Sequence, residues 1–278
     1  MTTLEKTAAA LLAAEEAGPS YIGLRESVPT LIAELLAAMF PRHMGEPAHD
    51  SEKERLGRLL KARTTLLYAL GFVTECHDEA EAIADGFFAE LPEVLSILKT
   101  DILAAYQGDP AARHTDEIIL CYPAFTAIST FRLAHALHLR GVRILPRMMT
   151  EYAHERTGID IHPGATVGPY FFIDHGTGVV IGETTTIGEH VTLYQHVTLG
   201  AKNFEVGPDG TLVKGIKRHP DIGNHVVIYA GATILGGRTV IGDHCVIGGN
   251  VWLTHSLPAG ETIVTRPANE QRGGAVVQ

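Results

Sequence analysis

Aliphatic residues recur at every sixth position through the start of the second half of the chain. The first run has one longer step of eight residues, and its positions are Ile161, Val167, Ile173, Ile181, Ile187, Leu193 and Leu199. Glycine often follows the aliphatic residue, and a small or β-branched residue often stands four places after it. A six-residue period fits neither an α-helix nor an alternating strand. It predicts a solenoid in which each hexapeptide forms one short side of a parallel β-helix.

The six-residue pattern resumes further along the chain. Its second run contains Ile222, Ile228, Leu235, Ile241, Ile247 and Leu253. Residues 202–217 show no repeat, so we expect an inserted loop that leaves the prism. Three hexapeptides make one coil, and successive coils stack at roughly 4.7–4.9 Å. The predicted β-helix covers residues 157–265, and known hexapeptide β-helices wind left-handed.

Residues 1–156 show helical spacing instead. Segments rich in Ala, Leu and Glu are separated by Gly and Pro, and the predicted helices cover residues 4–17, 29–40, 50–70, 78–90, 92–106 and 123–139. We expect an α-helical domain that serves oligomerisation and also covers the open end of the β-helix, whose strand edges would otherwise invite pairing. Residues 266–278 have no periodicity and predict a flexible tail. The predicted fold class is therefore α+β in two parts, helices first and β-helix second.

The amino-acid composition limits which classes of binding partner and which cellular compartment we expect. The net charge of −10 argues against nucleic acid or an anionic membrane as the main partner. No stretch approaches eighteen consecutive apolar residues, so no membrane-spanning helix is predicted, and the short apolar run near the N-terminus is a poor signal peptide. The three cysteines show neither metal nor redox spacing, and we expect a cytoplasmic protein.

Asp160, Asp174 and His175 stand where the repeat needs only small or turn-forming residues. A histidine beside a carboxylate is suited to general-base catalysis, because imidazole exchanges protons near neutral pH and the carboxylate fixes its tautomer. Taken alone, these residues are better explained as corners of the prism and a solvated surface histidine.

A second polar group follows the inserted loop. Arg218 suits a bidentate contact with a carboxylate, His219 could be a second donor, and Lys217 could meet a phosphate. A basic turn at the end of an exposed loop would explain the same residues. Earlier in the chain, Asp109 followed by Pro110 predicts the N-cap and first turn of a helix.

Histidines raise a different possibility. The chain has 15, and several lie on or beside the predicted β-helix: His190, His196, His219, His225 and His244. Hexapeptide β-helices can hold zinc in three-histidine sites between subunits, as in the gamma-class carbonic anhydrases, so a metal-dependent hydratase is an alternative. Those enzymes have no large helical domain ahead of the β-helix, and we expect no metal here.

Taken together, these segments closely resemble the serine acetyltransferases. The resemblance covers about residues 108–257. Its most specific stretches are TGIDIHPGA at 157–165, FFIDHGTGVVIGET at 171–184, VTLGA at 197–201 and KRHP at 217–220. The helical domain ahead of the β-helix also fits this family and not the shorter sugar acetyltransferases.

The resemblance implies direct transfer of an acetyl group from acetyl-CoA to the hydroxyl of L-serine, in cysteine biosynthesis. It implies that His175 is the general base and that Asp160 is its carboxylate partner. Substrate binding would fall to Asp109, Asp174, Arg218 and His219. The first two would contact the amine or hydroxyl of serine, and the last two its carboxylate.

The resemblance also implies a homotrimer with active sites between subunits, two trimers pairing through the helical domains. The pantetheine arm of acetyl-CoA would lie between neighbouring β-helices, along Gly200, Ala201, Ala230 and Gly231, and Lys217 would contact a phosphate of CoA. Tyr229 stands where a glycine is common in the family. Many members bind O-acetylserine sulfhydrylase through a C-terminal isoleucine, whereas this chain ends in Gln278, which argues against that partner.

Two further alternative functions are compatible with the same β-helix. One is an acyltransferase that acts on homoserine or a sugar; serine and homoserine differ by one methylene, which is worth only ~1–3 kcal/mol of discrimination. The other is a scaffold without catalytic activity, for which the set Asp160, His175, Arg218 and His219 has no structural need.

Overall fold

A computed structural model gives the fold, and the structure describes residues 2–15, 20–45 and 51–265. The tail predicted for residues 266–278 therefore lies outside the described residues.

The helices are α1 (Thr3–Ala14), α2 (Leu24–Met39), α3 (Glu52–Leu70), α4 (His77–Gly108), α5 (Thr115–Cys121), α6 (Pro123–Leu139) and α7 (Leu145–Thr157). In the part of the chain that the structure describes, no single helix combines the length and apolar character needed to cross a membrane; only α5 and α6 together, bent by 79° at their junction, match by length and composition.

Three predictions about the helices were wrong. The helix predicted for residues 29–40 begins at Leu24, with Pro29 inside it. Residues 78–90 and 92–106 form one helix, α4, with Pro92 inside it. Burial of Leu91 and Val94 on either side of the proline offsets the hydrogen bond that proline cannot donate. Asp109 is the C-cap residue of α4 and not an N-cap, and the next helix begins only at Thr115.

The second half is a left-handed parallel β-helix with three faces. Face A contains β1 (Asp160–Ile161), β4 (Val180–Ile181), β7 (Thr198–Gly200), β10 (Thr233–Leu235) and β13 (Trp252–Leu253). Face B contains β2 (Thr166–Val167), β5 (Thr186–Ile187), β8 (Asp221–Ile222) and β11 (Val240–Ile241). Face C contains β3 (Phe172–Ile173), β6 (Thr192–Leu193), β9 (Val227–Ile228), β12 (Val246–Ile247) and β14 (Thr262–Ile263).

The repeat positions point into the prism, as the six-residue period predicts. Each face contributes a column of aliphatic side chains that are almost completely buried, and Cys245 fills a small-residue position among them. One position differs from the prediction, because Ile234 and not Leu235 is the fully buried residue. The seven-residue step therefore falls between Ile234 and Ile241, where Gly236 and Gly237 form the corner.

The corners of stacked coils form three edges that run along the prism. We call them edge AB (residues 162–165, 182–185, 201–220 and 236–239), edge BC (168–171, 188–191, 223–226 and 242–245) and edge CA (174–179, 194–197, 229–232 and 248–251). The inserted loop leaves the prism at edge AB, as expected, and contains a short antiparallel bridge between Val206 and Leu212.

The helical domain closes the first coil. Arg132 of α6 forms a bidentate ion pair with Asp101 of α4, at 3.0 and 3.1 Å, and both side chains are buried. Arg132 also donates to the carbonyl oxygens of Val167 and Gly168, while Asp101 accepts from the backbone N–H of Phe171. These contacts satisfy backbone groups at the end of the prism that would otherwise be buried without partners.

Candidate active site

His175 lies on edge CA, in the single eight-residue step of the repeat. Its backbone is left-handed, with φ of 58°, and its side chain is 70% exposed. Gly176 follows with φ of 82°, and a Cβ there would lie 2.4 Å from the Ile159 side chain, so glycine is required. The two extra residues of this step thus form a turn that holds the imidazole out from the prism.

Two carboxylates lie close to this imidazole. Asp174 Oδ1 is 3.7 Å from His175 Nδ1. Asp109 accepts a hydrogen bond from the Tyr122 hydroxyl and another, at 2.8 Å, from the backbone N–H of Ala111. These two hydrogen bonds, and the charge of His175, lower the pKa of the Asp109 carboxyl.

Tyr122 fixes Asp109 in its ionised form. Burial and the hydrogen bond to Asp109 raise the pKa of the Tyr122 hydroxyl to about 12, so the phenol remains a donor. Asp174 contributes to this shift as well, which places both carboxylates and the phenol in one electrostatic neighbourhood. The region beside His175 is therefore negative and suited to a substrate ammonium group.

Asp160, the expected partner of His175, has a different contact in the single chain. It lies at the start of β1, and its Oδ1 is 3.4 Å from Arg147 Nη1. Among the described residues, the carboxylate within 4.0 Å of a His175 ring nitrogen is that of Asp174. The His175–Asp160 pair stays a prediction.

His219 lies on edge AB and is only 7% exposed. Its Nδ1 accepts from the backbone N–H of Thr184 at 3.1 Å, which makes Nε2 the protonated nitrogen. Its ring packs on Gly182, where a Cβ would come within 2.1 Å of the ring. Burial, followed by the positive charge of Arg218, lowers the pKa of His219 to about 4, so the ring is neutral at neutral pH.

Arg218 is held beside His219 by the same turn. Its backbone N–H donates to Thr184 Oγ1 at 2.9 Å, and its Nη2 donates to Glu183 Oε2 at 2.5 Å. Burial alone would raise the pKa of Glu183, but the hydrogen bond and charge of Arg218 outweigh burial and lower it. The guanidinium is thus oriented by a carboxylate, and its Nη1 lies 3.5 Å from the Ile216 carbonyl oxygen.

The residues predicted to contact CoA fall on both sides of face A. Gly200 and Ala201 lie where β7 meets edge AB, and Ala230 and Gly231 lie on edge CA. Lys217 is engaged within the chain, donating to the Thr184 carbonyl at 2.5 Å and to Asp221 at 2.6 Å. Beside it, a groove of about 510 Å³ is also bordered by four other basic residues: Lys202, Arg218, Arg238 and His255.

The histidines that suggested zinc do not converge. His190, His225 and His244 stack along edge BC with centroids 4.7 and 4.8 Å apart and nearly parallel rings. The described residues contain one converging group of metal-ligating side chains, Glu151, His154 and Asp160. Arg147 forms ion pairs with both carboxylates of that group, so it already has a positive partner.

Comparison with known proteins identifies the family, although no protein-family model matches the chain. A plasmid serine acetyltransferase of Synechococcus elongatus is 46% identical over 273 residues, covering 91% of this chain and 85% of that protein. The chain belongs to the serine acetyltransferase family. The crystal structure of Entamoeba histolytica serine acetyltransferase 1 in complex with L-cysteine has a TM-score of 0.79 and 38% identity, covering 85% of this chain and 86% of that chain. A serine acetyltransferase solved in complex with CoA has a TM-score of 0.58 and 25% identity, covering 87% of this chain and 96% of that chain.

The site has two polar groups: Asp109 and Asp174 beside His175, and Arg218 with His219. Three residues that orient these groups were not predicted from the sequence. Glu183 and Thr184 were part of the quoted GET motif, but nothing in the pattern showed that they orient Arg218 and His219. Tyr122 gave no signal at all, because its contact with Asp109 depends on how α4 and α6 pack.

Proposed function

We propose that the chain is a serine O-acetyltransferase, which transfers the acetyl group of acetyl-CoA to the hydroxyl of L-serine in cysteine biosynthesis. The observation that carries this proposal is the outward-facing His175 beside Asp109 and Asp174, on the prism of a family member. An imidazole with two carboxylates around it matches a substrate that has both an ammonium group and a hydroxyl to deprotonate.

In the reaction, His175 removes the proton from the serine hydroxyl as its oxygen attacks the thioester carbonyl. The carbon–sulfur bond then breaks, and the CoA thiolate leaves and takes the proton back from the imidazolium. General-base assistance of this kind is worth about 10²–10⁴-fold in rate. The positioning of both substrates supplies much of the remainder. No acyl-enzyme is needed, and Cys245, the cysteine within the β-helix, is completely buried in its core.

The two polar groups divide the zwitterionic substrate between them. Asp109 and Asp174 bind the ammonium group of serine, while Arg218 and the protonated Nε2 of His219 bind its carboxylate. A sugar hydroxyl offers neither an ammonium group to Asp109 and Asp174 nor a carboxylate to Arg218 and His219. This charge pattern favours an amino acid over a sugar as the acceptor.

These two groups lie on opposite edges of face A, so we infer that a complete site requires two copies of the chain. A trimer with face A towards its axis would place edge CA of one chain against edge AB of the next. Gly200 and Ala201 of one chain would then face Ala230 and Gly231 of its neighbour across one groove, which is where we place the pantetheine arm. Pairing of two trimers through the helical domains stays a prediction.

We place the enzyme in the cytoplasm, where its three free cysteines would remain reduced. The tail expected to decide binding of O-acetylserine sulfhydrylase lies outside the described residues, and the absence of that partnership stays a prediction.

The test of the function is serine-dependent release of thiol from acetyl-CoA by the purified protein. We expect release with L-serine, much weaker release with L-homoserine, and background release with no acceptor. Equal or faster release with L-homoserine would mean that homoserine, and not serine, is the acetyl acceptor. Thiol release that does not depend on any amino acid would contradict the assignment of Asp109, Asp174, Arg218 and His219 to substrate binding.

A further inference from the structure

Edge CA carries a column of three residues that begins at the candidate site. Strands β3, β6 and β9 pair in parallel register, so the residues that follow them lie one above another: Asp174, Tyr194 and Tyr229. The backbone N–H of Asp174 donates to the carbonyl of Leu193 at 2.9 Å, and that of Tyr194 to Ile228 at 3.0 Å, which confirms this order. The column therefore leads from His175 along the prism towards its C-terminal coils.

The two tyrosines form a stacked pair with free hydroxyls. Their ring centroids are 5.1 Å apart, and their planes differ by 7°. Tyr229 is 44% exposed and Tyr194 is half-buried. Within the described part of the chain, neither hydroxyl has a hydrogen-bond partner, whereas the Tyr122 hydroxyl has one. Burial, and then the proximity of Tyr229, Asp174 and Asp109, raises the pKa of Tyr194, so its hydroxyl is a donor.

The helical domain closes one side of His175 to an extended acyl donor. On the N-terminal side of His175 the helical domain closes the site with Asp109 and Tyr122, and Gly108 packs so tightly on Phe172 that a Cβ would come within 2.7 Å of its ring. Away from that closed side, edge CA offers a long arm a path to His175 from the later coils. That path passes Tyr229 first and Tyr194 second.

We propose that Tyr194 and Tyr229 bind the pantetheine arm of the acyl donor, by packing against it and by hydrogen-bonding its two amides. This inference rests on the proposed function, since acetyl-CoA is the donor there. The two amide nitrogens of pantetheine are separated by a β-alanyl unit, which spans about 5 Å when extended. The 5.1 Å spacing of the rings matches that repeat. A phenol, which both donates and accepts, can pair with either end of an amide.

The experiment compares acetyl-CoA with S-acetylpantetheine, which lacks the nucleotide, as donors for the wild-type protein and for Tyr194 and Tyr229 variants. We expect each Tyr→Phe change to raise the KM for acetyl-CoA roughly three- to tenfold, the usual range for one lost hydrogen bond. We expect Tyr229→Ala to raise it further, with the KM for serine unchanged. The fold-increase should be the same for S-acetylpantetheine, because the lost contacts are to the arm that both donors share.

Tyr170→Phe is the matched control, since Tyr170 also stacks on a neighbouring ring but lies on edge BC. It should leave both donor KM values unchanged. Calorimetric titration of each variant with CoA gives a readout that needs no catalysis. Phe and Ala variants that bind CoA and use both donors as the wild type does would overturn the proposal, as would a loss seen with acetyl-CoA alone. A wild-type protein that binds CoA through these tyrosines yet transfers nothing to serine would instead overturn the proposed function.

Discussion

The left-handed backbone at His175 decides how its role can be tested. Alanine is strained at a φ of 58°, whereas asparagine adopts this conformation more readily. His175→Asn therefore removes the base while preserving the turn. We expect kcat to fall by about 10²–10⁴-fold, because general-base assistance is lost. CoA affinity, measured by calorimetry, should stay the same; turnover within a few fold of wild type would refute the assignment.

The same assay separates the two candidate carboxylate partners of His175. Asp160→Asn and Asp174→Asn should each lower kcat less than His175→Asn does, because the imidazole remains. An effect of Asp160→Asn on kcat without a change in the KM for serine would support Asp160 as the orienting group. Asp174, which we place on the substrate ammonium, should instead affect the KM for serine.

His219 gives the molecule a defined sensitivity to acid. Its pKa is lowered to about 4 by burial and Arg218, whereas an unfolded histidine titrates near 6.5. Between these values the unfolded chain binds more protons than the folded chain, so the stability present above about pH 6.5 is lost as the pH falls towards 4. A shift of this size corresponds to roughly 3 kcal/mol. Burial also lowers the pKa of His162 and of His135, which act in the same direction.

Urea unfolding at pH 7.5 and pH 4.5 measures this sensitivity. His219→Gln, with a neutral side chain at both pH values, should lose less stability between them than the wild type does. His77→Gln, at an exposed position of α4, controls for the substitution itself. Equal acid losses in the His219 variant and the wild type would show that His219 does not carry the effect.

At the scale of elements, the junction between α4, α6 and the first coil depends on one buried arginine. Arg132→Met would leave the buried Asp101 without its cationic partner, and would remove the donor from the Val167 and Gly168 carbonyls. Breaking a buried pair from one side typically destabilises by about 3–5 kcal/mol. We expect a loss of that size in urea unfolding. Arg140→Met, which breaks the more exposed pair with Glu90, should lose clearly less; equal losses would mean that the buried junction has no special role.

Most helices and strands were predictable from the sequence, and the errors in their predicted positions have physical reasons. The six-residue period gives the faces of the prism because each inward position must be aliphatic. The predicted position of the seven-residue step was wrong because Ile234 and Leu235 are adjacent and both aliphatic, so only packing decides which of them points inward. Likewise, Pro92 suggested a break in α4 that burial of the neighbouring residues overrides.

At the scale of the whole molecule, the motifs predict which residues belong to the candidate site but not how those residues are arranged. The motif predicts that Arg218 and His219 act together with His175, but it does not predict that face A separates them in one chain. Contacts such as Tyr122 with Asp109 depend on helix packing and leave no periodic trace. The two polar groups are separated because one lies on edge CA and the other on edge AB, with face A between these edges in every coil.

That separation predicts complementation between two inactive variants. His175→Asn disables edge CA and Arg218→Ala disables edge AB, so each protein alone should have little activity at low serine concentration. When the two are unfolded together and refolded as mixed trimers, about a quarter of the interfaces would join an intact edge CA to an intact edge AB. Serine-dependent thiol release should recover to about that fraction of wild type, while the same variants refolded separately and then mixed should not recover. Mixed trimers that stay inactive would place both polar groups of each working site in the same chain.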